Sequence, residues 1–172
     1  MQIAHNAFFD AIISILKNGE VGYESVNEMN YMEMVVNETL RMFPPSVRVD
    51  RVCNKNYEFG DLKIPKGQIW TVPIWALHHD PDLYPEPENF DPERFNEANK
   101  KKRENEAFIP FGAGPRNCIG MRFALLEIKL LLATILSKYK FNKCDQTPVR
   151  ELVILLKVWF WLILFIFFKG DY

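Results

Sequence analysis

The stretch FGAGPRNCIG at residues 111–120, followed directly by the apolar run MRFALLEIKLLLATILSKY, decides the fold of this chain. The apolar run, with few polar breaks, predicts a long helix over 118–139. Glycine-rich loops that lead into helices often bind phosphates. This loop, however, lacks the Lys-Ser/Thr pair of a phosphate loop, and no glycine stands where a dinucleotide fingerprint needs its third. The loop therefore indicates another kind of ligand.

Cys118 stands where this loop meets the helix. Backbone N–H groups and the positive end of the helix favour an anionic sulfur there. Arg116 offers charge-assisted hydrogen bonds to a carboxylate, and Phe111 is placed to shield the sulfur from water. Three glycines allow tight bends and the close approach of a flat ligand: Gly112, Gly114 and Gly120. A lone cysteine is more often a packing residue, and only the surrounding pattern favours a ligand here.

That pattern, Phe-x-x-Gly-x-Arg-x-Cys-x-Gly, resembles the heme-binding loop of the cytochrome P450 family. The matching residues are Phe111, Gly114, Arg116, Cys118 and Gly120. The resemblance implies that Cys118 ligates the iron of heme b as an axial thiolate. It further implies that Gly112 and Arg51 contact the heme, and that Arg51 and Arg116 face its propionates.

Two further motifs follow the family order. Glu38 and Arg41 are three residues apart and share one face of a predicted helix, which is similar to the Glu-x-x-Arg of the family's K helix. The stretch PERF at 92–95 is similar to that of the family's meander. The resemblance implies a buried ion-pair triad of Glu38, Arg41 and Arg94, with a structural role, because buried charges persist only when they are paired.

The chain is therefore expected to be mainly α with a small antiparallel β-sheet, the incomplete C-terminal (proximal) part of the cytochrome P450 fold. Periodicity and proline placement predict these elements: helices near 6–18, 30–43 and 118–139, a small sheet within 47–73, and an ordered meander at 85–110. Asn30, with Glu33 three residues later, predicts an N-cap at the start of the second helix.

Residues 1–148 are assigned to the heme-loop portion and residues 149–172 to a divergent hydrophobic tail. Within the tail, residues 152–168 are apolar except for Lys157, which is at the short limit for a membrane span. A tail anchor and a tail without selected structure both remain open. The chain begins near the family's J helix, so we expect the I helix, with its oxygen-activation segment, and the membrane anchor to be absent.

Segments such as GPRNCIGMRFAL resemble family three, subfamily A, the drug- and steroid-oxidising group. This implies a heme-thiolate monooxygenase that inserts one atom of molecular oxygen into small apolar substrates, with residues 45–50 as one substrate wall. It also implies NADPH-cytochrome P450 reductase as the partner and the cytosolic face of the endoplasmic reticulum membrane as the location. The missing distal elements predict that the isolated chain is inactive. The alternatives are a non-catalytic remnant and a small tail-anchored membrane protein.

The remaining charged and sulfur-containing residues give weaker signals. A net charge of −1 gives no general reason to bind nucleic acid. The cysteine spacing suits neither zinc nor a disulfide framework, so Cys53 and Cys144 are interpreted as packing residues. The run at 99–106 is expected to be a solvated turn, and Arg122 and Lys129 either dock the reductase or simply face solvent. The three histidines are interpreted as non-catalytic: His5, His78 and His79.

Overall fold

The computed structural model describes residues 21–139. The predicted helix near 6–18, the tail at 149–172, His5 and Cys144 lie outside the described residues. Within the described part, no helix is long and apolar enough to cross a membrane.

Five helices and four short strands make up the described part of the chain. In chain order the helices are α1 Tyr23–Asn27, α2 Asn30–Met42, α3 Ile74–His78, α4 Glu97–Lys102 and α5 Met121–Leu136. The strands are β1 Val49–Val52, β2 Tyr57–Phe59, β3 Leu62–Ile64 and β4 Ile69–Val72. Single 3₁₀ turns lie at Pro92–Phe95, Asn105–Ala107 and Gly114–Arg116. The mainly α class with small antiparallel sheets is confirmed.

The hydrophobic core lies between α1, α2 and α5. Along α2 the buried side chains recur every fourth residue, which places them on one face of the helix: Met32, Val36 and Leu40. Val26 and Met29 precede them, and Ala133 of α5 is fully buried against this cluster. Apolar side chains of α5 and the flanking Phe108 and Phe111 pack around it. The long helix thus anchors the segment that carries the glycine loop.

The predicted sheet forms as two separate antiparallel pairs. β1 pairs with β4, with Val49 opposite Val72 and Val52 opposite Ile69. β2 and β3 form a hairpin, with Phe59 opposite Leu62. Gly60 closes this hairpin with φ +57°, the left-handed conformation that glycine adopts without steric cost.

The start of α2 differs from the expectation. The helix begins at Asn30 itself, and Met29 is its N-cap without a side-chain capping bond. The Glu33 carboxylate, expected in a capping box, instead accepts a hydrogen bond from Lys129 Nζ at 2.9 Å. An ion pair between α2 and α5 has therefore replaced the local cap.

Candidate heme-thiolate site

The glycine loop is a closed turn with Cys118 near its end. The Cys118 N–H donates to the Phe111 carbonyl at 2.9 Å, and the Asn117 N–H donates to the Gly114 carbonyl at 3.1 Å. Gly112 and Gly114 have φ values of +77° and +74°, where a side chain would strain the backbone. These two glycines let the chain reverse within a few residues and bring Cys118 beside the start of α5.

The Cys118 thiol is exposed. A Cβ on Gly120 would lie 4.0 Å from its sulfur, so the glycine leaves the sulfur flank free of side-chain atoms. Gly120 is the N-cap of α5, and no side chain caps the helix there. Phe111 packs against the core and does not enclose Cys118 within the described residues. The sulfur is therefore accessible to a ligand beside the start of α5.

Arg51, on β1, reaches this loop from a distant part of the sequence. Its Nη2 donates to the Arg116 carbonyl at 3.4 Å and lies 4.0 Å from the position that a Cβ on Gly112 would occupy. Both arginine side chains are exposed. The structure therefore brings Arg51 to the loop that carries Arg116 and Cys118. The remaining donors of the two guanidinium groups suit the carboxylates of a ligand.

The structure also contains a buried ion-pair cluster, as the sequence predicted. Glu38 and Arg41 are both fully buried, with Arg41 Nε 2.7 Å from Glu38 Oε2. Arg94 Nε lies 3.5 Å from Glu38 Oε1, without the alignment of a hydrogen bond. The Asp91 N–H also donates to Glu38 Oε1, at 2.9 Å. The carboxylate therefore meets two cations and one amide, and the prediction of one connected cluster is confirmed.

Arg41 also binds three backbone carbonyls, which connects α2 to the meander. Its Nη1 donates to His78 O at 2.9 Å, and its Nη2 donates to Pro87 O at 2.7 Å and, more weakly, to Asn89 O at 3.5 Å. Arg94 donates to the carbonyl of Glu86 at 3.1 Å. These bonds hold the proline-rich segment in place without regular secondary structure, since backbone carbonyls in such a segment need partners from elsewhere.

Comparison with known proteins fits this arrangement of loop and cluster. The family model for cytochrome P450 matches residues 10–157. The chain belongs to the cytochrome P450 family. Cytochrome P450 3A2 of Rattus norvegicus is 50% identical over 127 residues, which are 74% of this chain and 25% of that protein. Cytochrome P450 3A7 of Homo sapiens is 48% identical, with the same coverage of both chains.

A third relative, cytochrome P450 3A19 of Capra hircus aegagrus, is 49% identical over 127 residues, covering 74% of this chain and 58% of that protein. The chain spans about a quarter of the length of most of the curated relatives it matches. The resemblance to family three, subfamily A, is confirmed.

The cytochrome P450 family implies a heme-iron cofactor, and the loop residues fit it. In cytochromes P450 the heme iron takes one cysteine sulfur from the protein, and Cys118 presents an exposed sulfur. Residues 21–139 contain no group of three or more His, Cys, Asp or Glu side chains that would hold a metal ion directly. Nothing lies within 4 Å of the Cβ position of Gly114, which leaves room for a flat group against the loop.

His78 is a residue whose environment the sequence did not reveal. It is fully buried, and its Nε2 accepts the Ile109 N–H at 3.1 Å. Its Nδ1 has no partner among the described residues. Burial is the main cause that lowers the pKa of His78 to about 4; a hydrogen bond with the Arg41 backbone opposes the shift, and the Arg41 charge adds to it. The imidazole is therefore neutral at physiological pH, and no local sequence pattern distinguishes it from its neighbour His79.

One expectation about a charged residue was wrong, and a second holds only in part. Lys129 is only 8% exposed and pairs with Glu33, so it neither faces solvent nor is free to bind a partner. The run at 99–106 is not wholly solvated, because Arg103 stacks over Phe95 at 4.4 Å and over Phe108 at 5.4 Å. Sequence patterns did not show these contacts, because Lys129 pairs with a residue of another helix and Arg103 meets two rings that only the folded meander brings together.

Proposed function

We propose that this chain forms the heme-binding part of a cytochrome P450 monooxygenase, with the Cys118 thiolate as the axial ligand of heme b. The observation that carries the proposal is the exposed Cys118 sulfur in a loop closed by the bond between Cys118 N and Phe111 O. The family supplies the cofactor, and this loop supplies one soft donor in an open position.

The other loop residues have distinct roles in this proposal. Arg51 and Arg116 bind the heme propionates, because both guanidinium groups are exposed beside the loop. Gly112, Gly114 and Gly120 keep the backbone free of side chains where the macrocycle approaches, and a Cβ on Gly120 would lie 4.0 Å from the Cys118 sulfur. Phe111 completes the heme-loop set by fixing the loop base in the core.

When bound, the heme supplies the activation of molecular oxygen for insertion of one atom into a C–H bond of a small apolar substrate. The chain's own residues hold the sulfur beside the N-terminus of α5, where it is open to a ligand. Residues 45–50 form one wall of the substrate site in this proposal. NADPH-cytochrome P450 reductase is the proposed electron donor, and the cytosolic face of the endoplasmic reticulum membrane is the proposed location.

The docking surface for the reductase includes Arg122 rather than Lys129 in this proposal. Arg122 is exposed in the first turn of α5, whereas Lys129 is held by Glu33 at 2.9 Å. A partner whose surface is acidic would therefore meet Arg122 close to the Cys118 loop. Arg122→Ala is expected to slow electron transfer, and Lys129→Met is expected to leave its rate unchanged.

The 172-residue chain by itself is expected to be inactive as a monooxygenase. The residues assigned to the heme all lie on its thiolate side, so the opposite face of a bound heme would be open to water and reactive oxygen species would escape before transfer. NADPH-dependent oxidation of a large apolar substrate by the heme-loaded chain with reductase should not exceed that of Cys118→Ala. Turnover well above this variant would show that the chain completes its own active site.

Heme titration followed by a carbon monoxide difference spectrum tests the ligand assignment. The wild-type chain should give the red-shifted Soret band of thiolate ligation after reduction. Cys118→Ala should lose that band, and the matched control Cys53→Ala should keep it, because the Cys53 thiol is half-buried and donates to Lys55 O. A thiolate band that survives Cys118→Ala, or is lost in Cys53→Ala, contradicts the proposal.

A further inference from the structure

His78 joins the buried ion-pair cluster to the base of the Cys118 loop. Its carbonyl accepts from Arg41 Nη1 at 2.9 Å, and its ring Nε2 accepts from the Ile109 N–H at 3.1 Å. The Ile109 carbonyl in turn accepts the Gly112 N–H at 3.0 Å. Ile109 is thus fixed at both its N–H and its carbonyl immediately before the loop begins.

The position of Cys118 depends on this base. The Cys118 N–H donates to Phe111 O at 2.9 Å, and Phe111 is two residues after Ile109. A shift of Ile109 therefore carries Phe111, and with it the closing bond of the loop. The sulfur is connected to the ion-pair cluster through these short hydrogen-bonded steps.

The imidazole is held in one orientation. It is fully buried, stacks on Phe108 with ring centres 5.3 Å apart and meets Tyr84 edge-on at 6.5 Å. Because Nε2 accepts, the proton of the neutral ring is on Nδ1, which has no partner among the described residues. The ring therefore presents Nε2 to the Ile109 N–H as a placed acceptor.

We propose that His78 is a positioning residue for the thiolate loop, whose neutral imidazole holds the Ile109 N–H and thereby fixes the place of Cys118 relative to the ion-pair cluster. This inference deepens the proposed function and rests on it. The surroundings maintain the acceptor form: burial, helped by the Arg41, His79 and Arg103 charges, outweighs the opposing hydrogen bond with the Arg41 backbone and lowers the pKa of His78 to about 4.

Two variants of the 172-residue chain separate the acceptor from the bulk of the ring. His78→Gln places an amide oxygen near the position of Nε2 and retains an acceptor, whereas His78→Leu fills the space without one. His79→Leu is the matched control, because the His79 ring is partly exposed and stacks on Trp75, away from Ile109.

Hydrogen exchange at the Ile109 amide, without heme, is the first measurement. His78→Leu should speed this exchange about five- to tenfold, the factor that one hydrogen bond contributes to a local opening equilibrium. His78→Gln should stay within about threefold of wild type, and His79→Leu should not change it. Unchanged exchange in His78→Leu overturns the proposal.

The wild-type chain offers a test that does not depend on variant folding. The ¹⁵N chemical shift of His78 Nε2 at neutral pH should be that of a non-protonated ring nitrogen that accepts a hydrogen bond. A protonated Nε2 would overturn the proposal, because it cannot accept from Ile109.

The spectrum of the heme-loaded chain is the second measurement. At equal heme content, His78→Leu should shift a larger share of the carbon monoxide band from the thiolate to the thiol position, and His78→Gln should restore it. Equal shares in wild type and His78→Leu overturn the positioning role. A wild-type chain without any thiolate band contradicts the proposed function instead. In that case the hydrogen-exchange result still tests whether His78 holds the Ile109 N–H.

Discussion

The ion-pair cluster and the neighbouring Cys118 loop differ in the burial and pairing of their polar groups. In the cluster, Glu38 and Arg41 are fully buried, and each is bonded to groups of the chain itself. In the loop, Cys118 is exposed, and the Arg51 and Arg116 side chains extend into solvent. The charges of the cluster are paired within the protein. The loop instead presents the Cys118 sulfur and the Arg51 and Arg116 side chains to solvent, where a ligand can bind them.

This difference separates structural from functional charge. A buried charge must be paired by the protein, and the cost of losing its partner falls on stability. An exposed donor at a strained loop contributes little to stability and is available for binding. We therefore expect side-chain substitutions in the cluster to act on unfolding, and substitutions of the exposed Cys118, Arg51 and Arg116 side chains to act on heme.

Glu38→Ala should have the largest effect on stability. It would leave Arg41 buried without its carboxylate, which lowers the free energy of unfolding by roughly 3–5 kcal/mol. Denaturant unfolding measures this directly. Glu58→Ala is the matched control, because its pair with Lys63 is exposed, with the two charges 4.0 Å apart, and should change stability by no more than about 0.5 kcal/mol. Similar losses of stability in the two variants would contradict the distinction between buried and exposed charges.

The pH dependence of stability sharpens the contrast at His78. Its pKa is lowered from 6.5 to about 4 by burial, so the unfolded chain binds the proton more readily than the folded chain. The stability present above pH 6.5 should therefore fall as the pH drops through 4, by roughly 3 kcal/mol from this group. His78→Gln should lack this contribution. Parallel pH profiles of the two proteins would contradict the burial of a neutral imidazole.

Gly112→Ala tests the backbone of the loop. At φ +77° an alanine costs about 1–2 kcal/mol, although its Cβ would meet only ordinary contacts, with Arg51 Nη2 at 4.0 Å. Gly22→Ala is the matched control, because nothing lies within 4 Å of its Cβ position and its φ is negative. Thermal unfolding of both variants checks this, and equal midpoints would argue against a strained loop.

Lys129→Met should have the smallest effect. Its ion pair with Glu33 joins a buried ammonium to a carboxylate that is 48% exposed, and solvent screens such a pair. We expect a loss of about 1 kcal/mol or less in denaturant unfolding. A loss as large as that of Glu38→Ala would contradict this expectation and show that the Lys129–Glu33 pair stabilises the fold as a buried pair does.

The sequence predicted the elements whose signals are local. Apolar spacing and the Pro44-Pro45 pair predicted a helix over 30–43, and the structure has Asn30–Met42. The long helix starts three residues later than predicted, at Met121. Cys118 remains in the loop because its N–H binds Phe111 O rather than joining the helix.

Contacts between distant residues were the part that sequence patterns could not show. The triad was predictable only through the resemblance to a family, since Glu38 and Arg94 are far apart along the chain. His78 and His79 look alike in sequence, yet only His78 is buried and accepts from Ile109. The sequence pattern of Lys129 was compatible with a solvated helix face, whereas helix packing pairs it with Glu33. Burial and partner choice arise from tertiary packing, which local periodicity does not encode.

X-ray absorption at the iron edge tests the central claim most directly, because it detects the atom bound to the metal. In the heme-loaded wild-type chain, and in Cys53→Ala, the spectrum should show one sulfur in the first coordination shell of iron. In Cys118→Ser that sulfur should be replaced by an oxygen or nitrogen scatterer. A sulfur that persists in Cys118→Ser, or a wild-type spectrum without one, would contradict Cys118 as the ligand.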